Sequence, residues 1–188
     1  DVTIPLQLSP ASLPINDDLK DYIREVPDFP KPGIGFKDIS PLLKDAGAFA
    51  RAIEDIAQLC RDVSIEADVL ACPEARGFIF GAALAGHLGL GFIPIRKPGK
   101  LPYDTSSVEY DLEYGTDSIE MHIDAVERGQ RVLLVDDLLA TGGTTRACID
   151  LIEQSGGLVA ACVFLIELTF LPGREVLEGY DVHSLIHY

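Results

Sequence analysis

Two adjacent carboxylates, Asp136 and Asp137, are followed two apolar residues later by Ala140-Thr141-Gly142-Gly143-Thr144-Thr145. The acids can accept hydrogen bonds from sugar hydroxyls or stand near a hydrated divalent cation. The glycine pair lets the backbone turn tightly and bring its N–H groups close to a ligand. The threonines add hydroxyl donors. A glycine pair after a strand is ordinarily only a turn, and paired acids are ordinarily a strand end or a helix cap. The specific feature is the order of the whole run, which sets hydroxyl acceptors beside phosphate donors, as a sugar phosphate requires. No Gly-Lys-Ser/Thr closes the run, so it is not a Walker A loop, and no G-x-G-x-x-G opens a dinucleotide site.

Those residues need a strand before them and a helix after them. Val132-Leu133-Leu134-Val135 is a continuous apolar run, as in a parallel strand buried on both faces. The acids then fall at its carboxyl end, where open α/β sheets bind ligands. Ala147, Ile149, Leu151 and Ile152 give the following residues a helical apolar pattern, and a helix N-terminus favours an anion. The same plan recurs at Val69–Cys72, which leads through Pro73-Glu74-Ala75-Arg76-Gly77-Phe78 into a small-residue helix over 79–88. An arginine in such a turn supplies the fixed cation that a pyrophosphate needs. A third strand, Gly91–Ile95, ends in Arg96, Lys97 and Lys100, an expected anion collar.

The remaining elements are plainer. Residues 1–15 read as an extended arm, and Asn16 as the cap of a helix reaching about Val26. The proline- and glycine-rich stretch 27–41 is irregular. Phe49, Ile53, Ile56 and Cys60 mark an amphipathic helix over 48–63. Tyr103 to Tyr114 is polar and reads as a loop of the length used for lids. Ser118–Ile123, Leu158–Ile166 and 182–186 are further strands, with a short turn at 175–177. Alternating strands and helices predict a parallel α/β sheet with helices on both faces. The expected organisation is a single domain over 1–188, with about 1–40 as arm and hood and about 97–114 as a mobile lid.

Composition narrows the class. The chain has 188 residues, 47% hydrophobic, enough for one domain with a sizeable core. A net charge of −15 argues against nonspecific nucleic-acid binding, and no apolar run is long enough to span a membrane. The proline-interrupted start lacks a basic region and does not read as a secretory signal. Cys60, Cys72, Cys148 and Cys162 are scattered among apolar neighbours with no C-x-x-C spacing. They read as buried free thiols of a reducing, cytoplasmic setting. The four histidines show no metal-ligand spacing and read as structural or surface residues.

Val132 to Thr144, with its Asp-Asp-Leu-Leu-Ala-Thr-Gly-Gly-Thr wording, resembles the phosphoribosyl-pyrophosphate (PRPP) signature of type I phosphoribosyltransferases, the adenine-specific ones in particular. Pro27-Asp28-Phe29-Pro30-Lys31-Pro32-Gly33-Ile34-Gly35-Phe36-Lys37-Asp38-Ile39-Ser40, Glu74-Ala75-Arg76-Gly77-Phe78, Leu112-Glu113-Tyr114-Gly115 and Glu167-Leu168-Thr169-Phe170-Leu171-Pro172-Gly173-Arg174 are similar to other segments of that family. The resemblance runs from about Val26 to Arg174. It implies the type I fold with a small N-terminal hood and transfer of 5-phosphoribosyl from PRPP to adenine, giving AMP and pyrophosphate. Mg²⁺ would be held mainly by PRPP, near Asp136 and Asp137, in a homodimer.

The implied roles are as follows. Ala140, Thr141, Gly142, Gly143 and Thr144 cradle the 5-phosphate. Glu74, Ala75, Arg76, Gly77, Arg96, Lys97 and Lys100 meet the pyrophosphate, with a non-proline cis peptide between Glu74 and Ala75. Gly35, Phe36, Lys37 and Leu138 contact adenine, and Tyr103 and Tyr114 belong to the lid. Glu113, Asp136, Asp137 and Arg76 carry the chemistry. The alternatives are a phosphoribosyltransferase for hypoxanthine, guanine or another base, and a non-catalytic PRPP- or purine-sensing regulator on the same fold.

Overall fold

The computed structural model describes residues 18–112 and 115–188. The arm expected over residues 1–15, the Asn16 cap, and the catalytic and lid candidates Glu113 and Tyr114 lie outside them. The chain divides into two compact units, one ending at Ala52 and the other spanning Ile53–Tyr188.

In the first unit Asp18 caps the opening turn by accepting from the Lys20 N–H at 3.0 Å. That turn is a 3-10 turn over Leu19–Tyr22 and does not continue as the helix expected to Val26. Instead β1 (Arg24–Val26) pairs antiparallel with β2 (Phe36–Asp38). Pro27 explains the difference: it disfavours helical geometry at Val26, and the β-branched Ile23 and Val26 suit an extended chain. The irregular connection contains a cis Phe29–Pro30 bond, a left-handed Asp28 and Gly33. The Asp28 carboxylate closes it by accepting from the Gly33 N–H at 2.7 Å. Next come α1 (Ser40–Lys44), with Pro41 in its first turn, and α2 (Ala46–Asp62), the predicted amphipathic helix.

The second unit contains β3 (Val69–Pro73), α3 (Arg76–Leu88), β4 (Gly91–Ile95), β5 (Thr105–Leu112), β6 (Gly115–His122), β7 (Arg131–Leu139), α4 (Gly143–Gln154), β8 (Leu158–Glu167), α5 (Gly173–Val176) and β9 (Val182–His187). Five strands form one parallel sheet in the order β4-β3-β7-β8-β9. The continuous apolar runs occupy its middle: β3 is buried throughout, as is β7 from Val132 to Val135. The sheet grows outward from β3 in one direction and from β7 in the other. Right-handed crossovers therefore put α3 and α4 on opposite faces and leave a crevice beyond the carboxyl ends of β3 and β7, the usual ligand position.

The segment expected to be a loop up to Tyr114 differs. Thr105–Leu112 is a strand of an antiparallel hairpin with β6. Its alternating Val108 and Tyr110 pack against the core beside buried Ile119 and Met121, and α4 contacts both hairpin strands. The polar residues between them masked a period-two pattern that is present in the sequence. Among the described residues, no helix is long and apolar enough to cross a membrane.

Candidate active site

β7 delivers both aspartates to the crevice. Successive side chains of a strand point to opposite faces, so the two acids meet different neighbours. Asp137 is 5% exposed and accepts from Arg76 Nε at 2.7 Å. Arg76 is the first residue of α3, immediately after the cis peptide between Glu74 and Ala75 that was expected. Asp136 Oδ1 accepts from the Asp137 N–H at 2.8 Å. Gly77 has a role beyond completing the turn, since a Cβ there would stand 2.8 Å from Asp136 Oδ1.

Burial and the adjoining Asp137 carboxylate push the Asp136 carboxyl well above the usual carboxylate range. Burial also raises Asp137, against the opposing pull of the Arg76 guanidinium. A free aspartate ionises near 3.8, so the folded protein holds an extra proton above that pH. Stability is lost as pH rises through this window and stays lost at neutral pH. Asp136→Asn is therefore expected to raise the ligand-free Tm at about pH 7 by 2 °C or more, the shift that about 1 kcal/mol produces in a chain of this size. Below about pH 4 it should change the Tm little, and it should lower turnover. Calorimetric melts at both pH values check this; an unchanged or lower Tm at neutral pH would refute it.

The phosphate-loop candidate is a turn at a helix start. Gly142 has φ +83° and caps α4, accepting from the Arg146 N–H at 2.8 Å. Only glycine enters that conformation readily, and there is no room for a side chain: a Cβ would lie 2.9 Å from the Gly173 carbonyl oxygen. Ala140, Thr141, Gly142, Gly143 and Thr144 line a cavity of 460 Å³. Glu74, Ala75, Arg76, Asp136, Asp137 and Leu138 line the same cavity. Thr145, mostly buried, completes its wall. It is the third residue of α4, and its signal in the sequence is its place in the threonine-rich run that closes the turn.

The anion collar is organised differently from a row of free cations. Glu74 Oε2 accepts from Arg96 Nη2 at 2.8 Å and Nε at 3.1 Å, and Glu74 Oε1 accepts from the Lys97 N–H at 2.5 Å. Burial would raise the Glu74 carboxyl, but the Lys97 N–H and the Arg96 guanidinium outweigh it and hold it below the usual range. Lys97 Nζ donates to the Asp117 carboxylate and, at 3.1 Å, to the Tyr110 hydroxyl. Lys100 is exposed. The pairing of Lys97 with Asp117 and Tyr110 is not legible in the sequence, because Tyr110 lies in the stretch read as a loop and Asp117 precedes the strand expected over 118–123. Tyr103, 56% exposed, lies edge-on to His122 at 6.0 Å and does not line the cavity.

In the first unit the Phe36 ring meets Phe29 edge-on at 5.1 Å, and both line a small recess with Val26 and Asp38. Lys37 Nζ lies 3.2 Å from a Glu25 carboxylate oxygen. A Cβ at Gly35 would stand 2.9 Å from the same carboxylate group.

The phosphoribosyl transferase domain signature matches residues 42–179. The adenine phosphoribosyltransferase of Caldanaerobacter subterraneus subsp. tengcongensis is 60% identical over 172 residues, 92% of this chain and 98% of the relative. The chain belongs to the adenine phosphoribosyltransferases. Solved structures of that family agree. The Thermoanaerobacter pseudethanolicus enzyme superposes with a TM-score of 0.88 at 60% identity, over 90% of this chain and 98% of the other. The Saccharomyces cerevisiae enzyme, solved with an imino-altritol bisphosphate and adenine, gives 0.84 at 37% identity, over 87% and 94%. Like other adenine phosphoribosyltransferases, the chain is thus a transferase built on the type I fold. Among its described residues no group of three or more His, Cys, Asp and Glu could hold a metal.

Proposed function

We infer that the chain transfers 5-phosphoribosyl from PRPP to adenine, giving AMP and pyrophosphate in purine salvage. The observation that carries the reading is the single cavity shared by the Ala140–Thr144 turn, the Asp136–Asp137 pair and Arg76. It offers a phosphate cradle, hydroxyl acceptors and a fixed cation within one crevice, which are the three things PRPP needs. The reaction asks for positioning and charge stabilisation more than for a nucleophile. N–H groups at the α4 start would hold the 5-phosphate. Asp136 and Asp137 would accept from the ribose hydroxyls and oppose the positive charge that develops on the sugar as pyrophosphate leaves. Arg76 would meet the departing pyrophosphate, with Arg96, Lys97 and Lys100 beyond β4 as further cations. Glu113 would handle the proton at the base, and Phe36 would supply a stacking ring.

Mg²⁺ fits this donor set. Burial raises both carboxyls, and the Asp137 charge raises Asp136 further, a charge arrangement that a divalent cation relieves. No third acid joins them among the described residues, so the ion would arrive with the polyphosphate, as is usual for Mg²⁺. When bound, it neutralises charge accumulating on the leaving pyrophosphate. We also propose a cytoplasmic homodimer. The four buried free thiols suit a reducing compartment, and exposed Phe170 and Ile79 are apolar surface for a subunit contact. The segment 97–114 is proposed to close over bound PRPP and keep water from the activated sugar.

The test is AMP formation from adenine and PRPP with Mg²⁺, followed by chromatography. AMP should appear in stoichiometry with pyrophosphate, and chelation by EDTA should stop it. PRPP binding without AMP would favour the regulator.

A further inference from the structure

The segment from Glu167 to Arg174 contributes no lining to the cavity just described, yet it is tightly tied. β8 ends in Glu167, 4% exposed. Its carboxylate accepts from Arg174 Nε at 2.9 Å and Nη2 at 2.6 Å, and from the Ser184 hydroxyl at 2.7 Å. Arg174 Nη1 donates to the Val182 carbonyl at 3.0 Å. One guanidinium thus joins the end of β8 to the start of β9, a fork that lysine cannot reproduce. The residue before it, Gly173, opens α5 and lies against the phosphate loop. A Cβ on Gly173 would collide with the Ala140 carbonyl oxygen and stand 2.9 Å from Leu139 Cδ1. From the other side, a Cβ on Gly142 would stand 3.1 Å from Gly173 Cα. The Leu168 N–H donates to the Leu139 carbonyl at 3.0 Å and closes the contact.

We propose that Gly173, held in place by the Glu167–Arg174 pair, is a positioning residue for the 5-phosphate loop. Behind Gly142 the nearest atoms are the Gly173 backbone and the Val176 Cβ. Where Gly173 sits decides where the Ala140 carbonyl and the Gly142 turn sit, and so where the N–H groups at the α4 start point. A displacement of about 1 Å at such a cradle can cost up to about 10²-fold. The inference rests on the phosphate-cradle reading of residues 140–144. It gives the Glu167–Arg174 motif a role at a distance: neither charged residue needs to touch substrate.

The experiment compares the parent with Gly173→Ala, Arg174→Lys and Ile56→Ala, a core truncation in α2 serving as a stability control. AMP affinity is read by calorimetry, and KM for PRPP and for adenine by initial rates. Gly173→Ala should weaken AMP and raise the PRPP KM about tenfold or more while moving the adenine KM less than about twofold. Arg174→Lys should shift the same two quantities in the same direction by a smaller factor. Ile56→Ala should lower the Tm without the PRPP effect. A Gly173→Ala protein that binds AMP as the parent does overturns the proposal, as does an equal loss of affinity in Ile56→Ala. If Gly173→Ala does not fold, Arg174→Lys decides: an unchanged PRPP KM overturns the proposal. A parent that fails to bind AMP removes the phosphate-cradle reading itself, a result distinct from variants that match a binding parent.

Discussion

Gly142→Val is expected to reduce PRPP and AMP affinity by at least about 10²-fold while leaving the rest of the fold in place. Two effects combine. Gly142 has φ +83°, where a β-branched side chain is strained, and its Cβ would press on the Gly173 carbonyl oxygen. Relief requires the turn to move, and the turn places the amide groups at the α4 start. The strands behind it do not depend on it, since Val132–Val135 are buried between β3 and β8. Calorimetric titration with AMP, alongside a far-UV spectrum and a melt, separates the two parts. Undiminished AMP affinity in a folded Gly142→Val protein would contradict the assignment of this turn to the phosphate.

Arg76→Ala is expected to lower kcat by about 10²–10³-fold, the usual effect of removing one preorganised charge-stabilising donor. It also strands a partner. Asp137 is mostly buried, and the Arg76 guanidinium opposes the effect of burial on its carboxyl. Without that cation the carboxyl should rise further, so residual activity should move to higher pH. Arg76→Lys keeps the charge without the planar fork and should recover part of the rate and most of the pH profile. Turnover of Arg76→Ala within about threefold of the parent would remove Arg76 from the leaving-group role.

Much of this arrangement is written in local sequence. Val132–Val135 and Val69–Cys72 declare buried strands by unbroken apolar runs, and the acids and the Arg76 turn follow them without a gap. The cavity assembles from these two stretches because both end at the same sheet crevice. Other features depend on partners far along the chain. The sequence does not say that Gly142, not Gly143, takes the left-handed turn, or that Gly173, some thirty residues on, packs against it. The collar reads as three cations for an anion, but Arg96 answers Glu74 and Lys97 answers Asp117, pairings made by sheet and hairpin register. Thr105–Leu112 reads as loop because its polar residues outnumber its apolar ones, although Val108 and Tyr110 alternate toward the core. The chain is extended rather than helical over Arg24–Val26 for a local reason: Pro27 follows it.

Base choice tests the central claim most directly. Enzymes of this fold that use 6-oxopurines commonly set a lysine ammonium just beyond the strand after the phosphate-loop helix. Here β8 ends instead in Glu167, followed by Leu168 and Thr169, and the Glu167 carboxylate is taken by Arg174 and Ser184. With no lysine just beyond β8 for a 6-oxo group, a site built around the 6-amino donor of adenine would leave buried polar groups unpaired with hypoxanthine. Such a mismatch can cost about 10⁴-fold. The measurement is pyrophosphate release from PRPP and Mg²⁺ with adenine, hypoxanthine and guanine in parallel, expressed as kcat/KM. Rapid turnover of adenine with at most feeble use of the other two is the predicted result. Comparable kcat/KM for adenine and hypoxanthine would contradict it.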